Sequence, residues 1–412
     1  LSATLGIEGG HVGRDAAVIG LVGVAHGFSH FLQFALPPLF PLIKADLGYS
    51  YTELGLLITI FFVVSGLCQV ISGFIVDRIG ARTVLVSGLG CLSGATLLYG
   101  VIPDYAVLVA LVIVAGAGNS VFHPADFAIL STSVRESRMG RAFSVHSFMG
   151  FIGYGAAPAG MVYLAAVIDW REALIAVGAA GLVFLAVLTL SRGALGSHLA
   201  ARSSDGQTRH GVTASGAAAI LRLPIVMLFL FFVALAAGQI GFQSFAPPAL
   251  MDMYGTDIGR ANIAVTSFLF GTLFGVLAGG VLADRAVRHD LIAAIFTVAA
   301  AVILVGTGLA ALPIEAQFAL FAAGGVAFGI MFPSRDLLIR AATPRESTGK
   351  VFGFVYSGLD VGSALIPVAM GWILDHGAPD WVFATIGACF ALAILALAIT
   401  RRVGARPAPT TG

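Results

Sequence analysis

Long apolar runs alternate with short polar breaks along this chain, and the runs have the length a bilayer demands. A helix rises about 1.5 Å per residue, so about 20 apolar residues cross a hydrocarbon core about 30 Å thick. Twelve runs meet that requirement: residues 16–43, 54–76, 83–102, 105–131, 142–168, 173–190, 224–250, 262–283, 291–312, 316–339, 351–374 and 381–400. The pattern predicts an all-α membrane protein with twelve transmembrane helices. Residues 191–222 are the one long hydrophilic stretch, rich in Ser, Gly, Arg and Thr. They read as a flexible tether, so the expected organisation is an N-terminal six-helix bundle over 1–190, a cytoplasmic linker loop over 191–222 and a C-terminal six-helix bundle over 223–412.

The two halves repeat. Gln33-Phe34-Ala35-Leu36-Pro37-Pro38-Leu39 returns as Gln243-Ser244-Phe245-Ala246-Pro247-Pro248-Ala249-Leu250. Each copy runs on to one signature, Gly73-x-x-x-Asp77-Arg78 and Gly280-x-x-x-Asp284-Arg285. Further echoes keep nearly the same offset: Asp126 with Asp336, Arg135-Glu136-Ser137 with Arg345-Glu346-Ser347, Pro158 with Pro367, and Asp169-Trp170 with Asp380-Trp381. A tandem repeat in so apolar a chain predicts a transporter with two pseudo-symmetric halves, because such folds commonly place their site where repeats meet.

Composition fixes the class and charge fixes the orientation. The chain is 58% hydrophobic and 10% charged, against about 45–50% and about 25% in a soluble domain. Apart from Arg335, the basic residues fall at one set of alternate run ends, with only Lys44, Arg171 and Arg260 at the other. The positive-inside rule then puts both termini and the central loop in the cytoplasm, for a multi-pass protein of the bacterial inner membrane. Cys68, Cys91 and Cys389 lie within runs and read as packing residues. Residues 1–15 carry Glu8, His11, Arg14 and Asp15 and have no apolar core, so no cleavable signal peptide is expected there. No basic patch with interleaved aromatics suggests nucleic acid, and no Gly-x-x-x-x-Gly-Lys-[Ser/Thr] loop suggests ATP as the drive.

Glycines concentrate inside the runs, as in Gly271-x-x-x-Gly275 and Gly324-Gly325. In lipid, small residues permit the close backbone approach that holds helices together, so these glycines read as packing positions, some of them hinges. Pro37, Pro38, Pro41, Pro124, Pro158, Pro247, Pro248, Pro333 and Pro367 lie within or at the ends of runs, where each removes a backbone bond and can bend its helix.

At this point a family resemblance emerges. Six spans plus six, a long middle loop, and Gly73-Phe74-Ile75-Val76-Asp77-Arg78-Ile79-Gly80-Ala81-Arg82 between spans two and three together resemble the major facilitator superfamily. The second-half copy lacks the later Gly and Arg, while Trp170-Arg171 before span six is similar to another common feature of the family. The resemblance covers essentially the whole hydrophobic chain. It implies alternating access around a cavity lined mainly by spans one, four, seven and ten, and a gate formed by Gly73, Asp77, Arg78, Gly80, Arg82, Asp284 and Arg285. Within the family, His30-Phe31 and Phe122-His123-Pro124 resemble the fosmidomycin-resistance branch of drug exporters. The exporter signature of span five stands here only as Gly155-Ala156-Ala157-Pro158-Ala159-Gly160.

Ionisable groups inside a membrane are expensive, so each is a functional hypothesis. His123 and Asp126, three apart in span four, share a helical face. A carboxylate beside an imidazole can trade a proton near neutral pH; the pair can equally be a buried structural pair or bind substrate. Proton coupling is assigned to His123, Asp126, Asp336 and Asp360, and substrate binding to His26, His30, Gln33, Gln239, Gln243 and Arg335. Arg335 presents a planar fork suited to an anion, or else pairs with Asp126, Asp336 or Asp360. His26 and His30, four apart, have a spacing that suits a transition metal, but no cysteine or carboxylate stands nearby in sequence, and cavity lining is the expectation. His146, five residues after Arg141, reads as interfacial.

The chain therefore reads as a proton-coupled secondary transporter and not an enzyme. It moves a small anionic or amphipathic organic solute or drug, binds no cofactor and no metal, and acts as a monomer. The rival readings are proton symport of an organic acid and transport of a transition metal or metal chelate.

Overall fold

The computed structural model describes residues 2–102, 104–191, 221–343 and 348–404. The expected linker lies outside the described residues, apart from its ends, as do Arg192, Arg202, Arg209, Arg345 and Arg406 of the charge pattern. The first half comprises α1 (Ser2–Gln33), α2 (Phe40–Leu47), α3 (Tyr51–Ile79), α4 (Ala81–Val101), α5 (Tyr105–Asn119), α6 (Phe122–Ser133), α7 (Met139–Ile168) and α8 (Trp170–Leu190). The second comprises α9 (Leu223–Tyr254), α10 (Ile258–Arg285), α11 (His289–Leu309), α12 (Ile314–Ala342), α13 (Thr348–Asp375) and α14 (Asp380–Gly404). Among the described residues, twelve helical spans are long and apolar enough to cross a membrane. Two of them are broken: α1 continues into α2 and α5 into α6, each pair making one span.

Both breaks have local causes. Pro37 and Pro38 supply no N–H, and the chain before them tightens into i to i−3 bonds, Phe34 N to Phe31 O at 3.1 Å and Ala35 N to Leu32 O at 3.2 Å. A 3₁₀ turn over Pro37–Leu39 follows. In the repeated copy Pro247 and Pro248 lie inside an unbroken α9, so the same sequence element bends the chain differently in the two halves. Span four breaks at Ser120–Val121, because Pro124 has no N–H to give the Ser120 carbonyl.

The chain divides into two compact units. One gathers residues up to Gly48 with the chain from Ile60 through α8; the other gathers Tyr49–Thr59 with α9 to α14. Within the first, α1 packs on α7 and α6, and α4 packs on α8 and α5. Within the second, α9 packs on α13 and α14, α10 on α12, and α11 on α12 and α14. The pairings α1 on α7 and α9 on α13 are equivalent under the repeat, as are α4 on α8 and α11 on α14. The start of α3 is held in the second unit by Asp375, whose carboxylate accepts from Tyr51 N at 2.9 Å, Thr52 N at 2.8 Å and Thr52 Oγ1 at 2.7 Å. This satisfies two of the donors that a helix leaves open at its first turn.

The α10–α12 contact shows what the glycines do. A Cβ placed on Gly271, Gly275 or Gly279 would stand 2.2, 2.2 or 2.5 Å from the carbonyl oxygens of Ala322, Val326 and Ile330, and one on Gly325 or Gly329 would stand 2.0 or 2.1 Å from those of Phe268 and Thr272. Glycines four apart on both helices thus seat each backbone against the other. Gly329→Ala must push two backbones apart, at a cost of about 1–3 kcal/mol or more. Its thermal unfolding in detergent is expected well below wild type, whereas Gly280→Ala, with nothing within 4 Å of the new Cβ, should unfold as wild type does. Equal unfolding temperatures for the two variants would contradict this packing account.

Candidate functional site

Three helices of the first unit bring four histidines and an aspartate together. His26, His30 and Gln33 lie on one face of α1 at spacings of four and three, and His123 and Asp126 lie on the first turns of α6. His146 comes from α7. The His26 ring stacks on His146 with centroids 3.6 Å apart, meets His30 at 4.4 Å and stands 5.1 Å from His123. Asp126 is fully buried; His146 Nε2 lies 3.0 Å from its Oδ2, and His26 Nδ1 lies 3.1 Å from the same oxygen. Two glycines of α7 make the space. A Cβ on Gly150 would meet the His30 and His26 rings at 2.8 and 2.9 Å, and one on Gly153 would meet Gly27 O of α1 at 2.1 Å.

The hydrogen bonds run in a chain. His30 Nδ1 donates to Gln33 Oε1 at 3.2 Å, and Tyr154 Oη donates to the same oxygen at 3.1 Å. His30 Nε2 and His26 Nε2 are 3.1 Å apart, and His26 Nδ1 then faces Asp126. The direction of each bond follows from the amide orientation of Gln33. Between Gln33 Oε1 and the Asp126 carboxylate lie three gaps, whereas two neutral imidazoles carry one N–H each. With Asp126 ionised, one gap holds two facing lone pairs. That gap is His26 Nδ1 to Asp126 Oδ2, where His26 Nδ1 and Asp126 Oδ1 are both buried without an aligned hydrogen bond. With Gln33 in this orientation the chain is one proton short. An added proton fills the gap; turning the Gln33 amide over reverses the chain, and the two imidazole protons then suffice.

The second unit holds the other buried charge. Arg335 on α12 is 7% exposed, and its Nε donates to Asp336 Oδ1 at 3.0 Å. Its guanidinium carbon lies 4.4 Å from the Phe232 ring centroid, 4.3 Å from Phe332 and 5.9 Å from Tyr356. The Asp336 side chain is 40% exposed, so its carboxylate is not enclosed by the protein as the guanidinium is. Gln243 is buried with neither amide atom hydrogen-bonded. Gln239 and Asp360 are half-buried, and no hydrogen bond joins them to Arg335 among the described residues.

The signature residues sit at helix ends. Gly73, Asp77 and Arg78 close α3, and Gly80 turns the chain into α4 with φ +92°, a conformation that favours glycine. Arg82 Nη2 donates to Thr189 O near the C-terminus of α8 at 2.9 Å, where a cation is favoured. Asp77, Asp284 and Arg285 are exposed, with no ion pair among the described residues. Trp170 Nε1 donates to Asp46 Oδ2 at 3.2 Å, and Arg171 pairs with the same carboxylate.

Two expectations change. Asp126 pairs with His146 and His26 instead of His123, whose own position is exposed at the edge of the cluster. His146, read as interfacial from its distance to Arg141, is 3% exposed and belongs to the cluster, touching both Asp126 and His26. Hairpin arithmetic could have found it: Asp126 lies seven residues before the end of α6 at Ser133, and His146 lies seven after the start of α7 at Met139. Equal counts along antiparallel neighbours mean equal depth.

Twelve apolar spans with paired ionisable groups buried inside them define a multi-pass membrane protein. The family model of the Major Facilitator Superfamily matches residues 22–248 and again 227–412. The chain belongs to that superfamily. It is 25% identical to the uncharacterised MFS-type transporter YfnC of Bacillus subtilis over 64% of each chain, so it spans under two thirds of that relative's length. It is 26% identical to the fosmidomycin resistance protein of Escherichia coli over 67% of each, and 26% identical to a probable sulfoacetate transporter, SauU, of Cupriavidus necator over 86% of each. The fold is that of a bacterial homologue of the lysosomal transporter Spinster, with TM-score 0.76 at 15% identity over 96% of this chain and 99% of that one.

Proposed function

We propose that this chain is a proton-coupled secondary transporter that moves a small anionic or amphipathic organic solute across the bacterial inner membrane by alternating access, with its termini in the cytoplasm. The observation that carries the reading is the buried His26 Nδ1 that faces the Asp126 carboxylate at 3.1 Å without an aligned hydrogen bond, a place for one proton. A site whose hydrogen bonds are completed by an added proton in one arrangement, and by turning over the Gln33 amide in the other, has two states between which a proton can switch it, which is what coupling requires. Arg335 in its aromatic cage is the substrate's anchor, because a guanidinium stacked on rings still offers a planar edge to a carboxylate, sulfonate or phosphonate. The name of the sulfoacetate relative favours an organic acid among these cargoes.

The test is transport by the purified protein in proteoliposomes under an imposed pH gradient, with a panel of organic anions and drugs. Accumulation that collapses when a protonophore is added is expected for at least one organic anion. Gradient-independent movement of every transported compound would contradict the reading.

The helix-end signature acts in this reading as a gate. Each contact it makes is worth about 0.3–1 kcal/mol, so Asp77→Asn is expected to slow turnover by about two- to fivefold. Transport assays together with accessibility of engineered cysteines on the cytoplasmic side check this. Unchanged turnover and unchanged accessibility would leave the loop with a topological role only.

A further inference from the structure

We propose that the His26, His123, His146 and Asp126 cluster also binds one divalent transition-metal ion of the borderline class, such as Zn²⁺, Co²⁺ or Ni²⁺, in place of the exchangeable proton. The inference rests on the same chain, one proton short, as the transport reading. One ring nitrogen from each of His26, His123 and His146 lies within 4.8 Å of the other two. A tetrahedral shell with metal–nitrogen bonds of about 2.0–2.1 Å holds its ligand atoms about 3.3 Å apart. Asp126 Oδ2 already stands at that spacing, 3.0 Å from His146 Nε2 and 3.1 Å from His26 Nδ1. To bind one ion the stacked His26 and His146 rings must rotate apart so that each turns a nitrogen lone pair toward it, and exposed His123 has the freedom to close on the same point.

The hydrogen-bond chain fits a metal as well as it fits a proton. With an ion on the His26 Nδ1 lone pair, His26 Nε2–H donates to His30 Nε2, and His30 Nδ1–H donates to Gln33 Oε1. Two imidazole protons then satisfy two gaps, and the ion occupies the third. His30 and Gln33 become positioning residues, fixing the tautomer that turns His26 Nδ1 toward the ion. Imidazole with one carboxylate suits borderline ions over Mg²⁺ or Ca²⁺, which want oxygen, and over Cu⁺, which wants sulfur. Metal and proton compete for one lone pair, so occupancy must fall with pH and block proton exchange.

The experiment is titration of tag-free, full-length protein in detergent with Co²⁺, read by its visible absorption, followed by displacement with Zn²⁺. One equivalent of tetrahedral Co²⁺ is expected, with at least tenfold weaker binding at pH 5.5 than at pH 7.5. His26→Ala and His146→Gln should each lose at least tenfold in affinity, and exposed His376→Ala none. Should the cluster variants fail to fold, the pH competition in wild type decides alone. Absence of stoichiometric binding, pH-independent binding, or binding unchanged in both cluster variants overturns the inference. Those outcomes leave proton-driven transport to stand or fall on the proteoliposome assay, where no metal is added.

Discussion

Replacing Asp126 by asparagine is expected to reduce pH-gradient-driven accumulation to the level of empty liposomes while substrate exchange persists. The amide is nearly the same size as the carboxylate, so the buried pocket between α1, α6 and α7 should still close. With its NH₂ group in the place of Asp126 Oδ2, one N–H can donate to His26 Nδ1 and the other to His146 Nε2, whose ring then carries its proton on Nδ1, across the two contacts that Asp126 Oδ2 makes at 3.1 and 3.0 Å. Every gap in the chain from Gln33 is then filled by permanent donors, and no extra proton is needed or exchanged. A transporter in that condition can equilibrate its substrate but cannot pump it. The measurement is the accumulation ratio of a transported anion with and without an imposed pH gradient. Full gradient-driven accumulation in the variant would remove Asp126 from the coupling role.

Arg335 carries the second large effect. Arg335→Lys keeps the charge but loses the plane that lies within 4.4 Å of Phe232 and 4.3 Å of Phe332. Cation–π contacts of this kind are worth about 0.5–2 kcal/mol, and the bidentate grip on an anion goes with them. A loss of about tenfold or more in substrate affinity is expected for lysine, at about 1.4 kcal/mol per decade, and a larger one for Arg335→Ala. Asp336 decides between substrate and structure. Breaking a buried pair hurts because it strands a charge, but the Asp336 side chain is 40% exposed and is not enclosed by the protein. An Arg335→Ala, Asp336→Asn double variant is therefore expected to bind as poorly as Arg335→Ala alone. Recovery in the double variant would assign Arg335 to neutralising Asp336, and near wild-type affinity in Arg335→Ala would end the anion-binding assignment.

The twelve spans and the repeat were legible because hydropathy and residue identity are properties of the chain itself. The breaks were only half legible: the proline pairs mark both copies, yet Pro37–Pro38 interrupts span one while Pro247–Pro248 sits inside α9. Pro41 belongs to the first copy alone, and the packing around each helix decides the rest. In the site, same-face pairs could be read from spacings of three and four, which brought out His26 with His30 and His123 with Asp126. What spacing could not give was the partner across helices. Asp126 chose His146, 20 residues away on α7, because an antiparallel hairpin sets two residues at one depth regardless of nearby charges such as Arg141. The cage around Arg335 shows the same division. Phe332 lies three residues before it on α12, whereas Phe232 and Tyr356 arrive from α9 and α13 through tertiary packing.

The central claim is that one proton, bound between His26 and Asp126, is taken up and released as the substrate moves. It is tested most directly by loading proteoliposomes with a pH-sensitive dye, imposing a substrate gradient with no initial pH gradient, and comparing wild type with Asp126→Asn. The account predicts a substrate-driven pH change in the wild-type lumen and none in the variant, although substrate still moves. Equal pH changes in both, or substrate movement without any pH change in wild type, would contradict it.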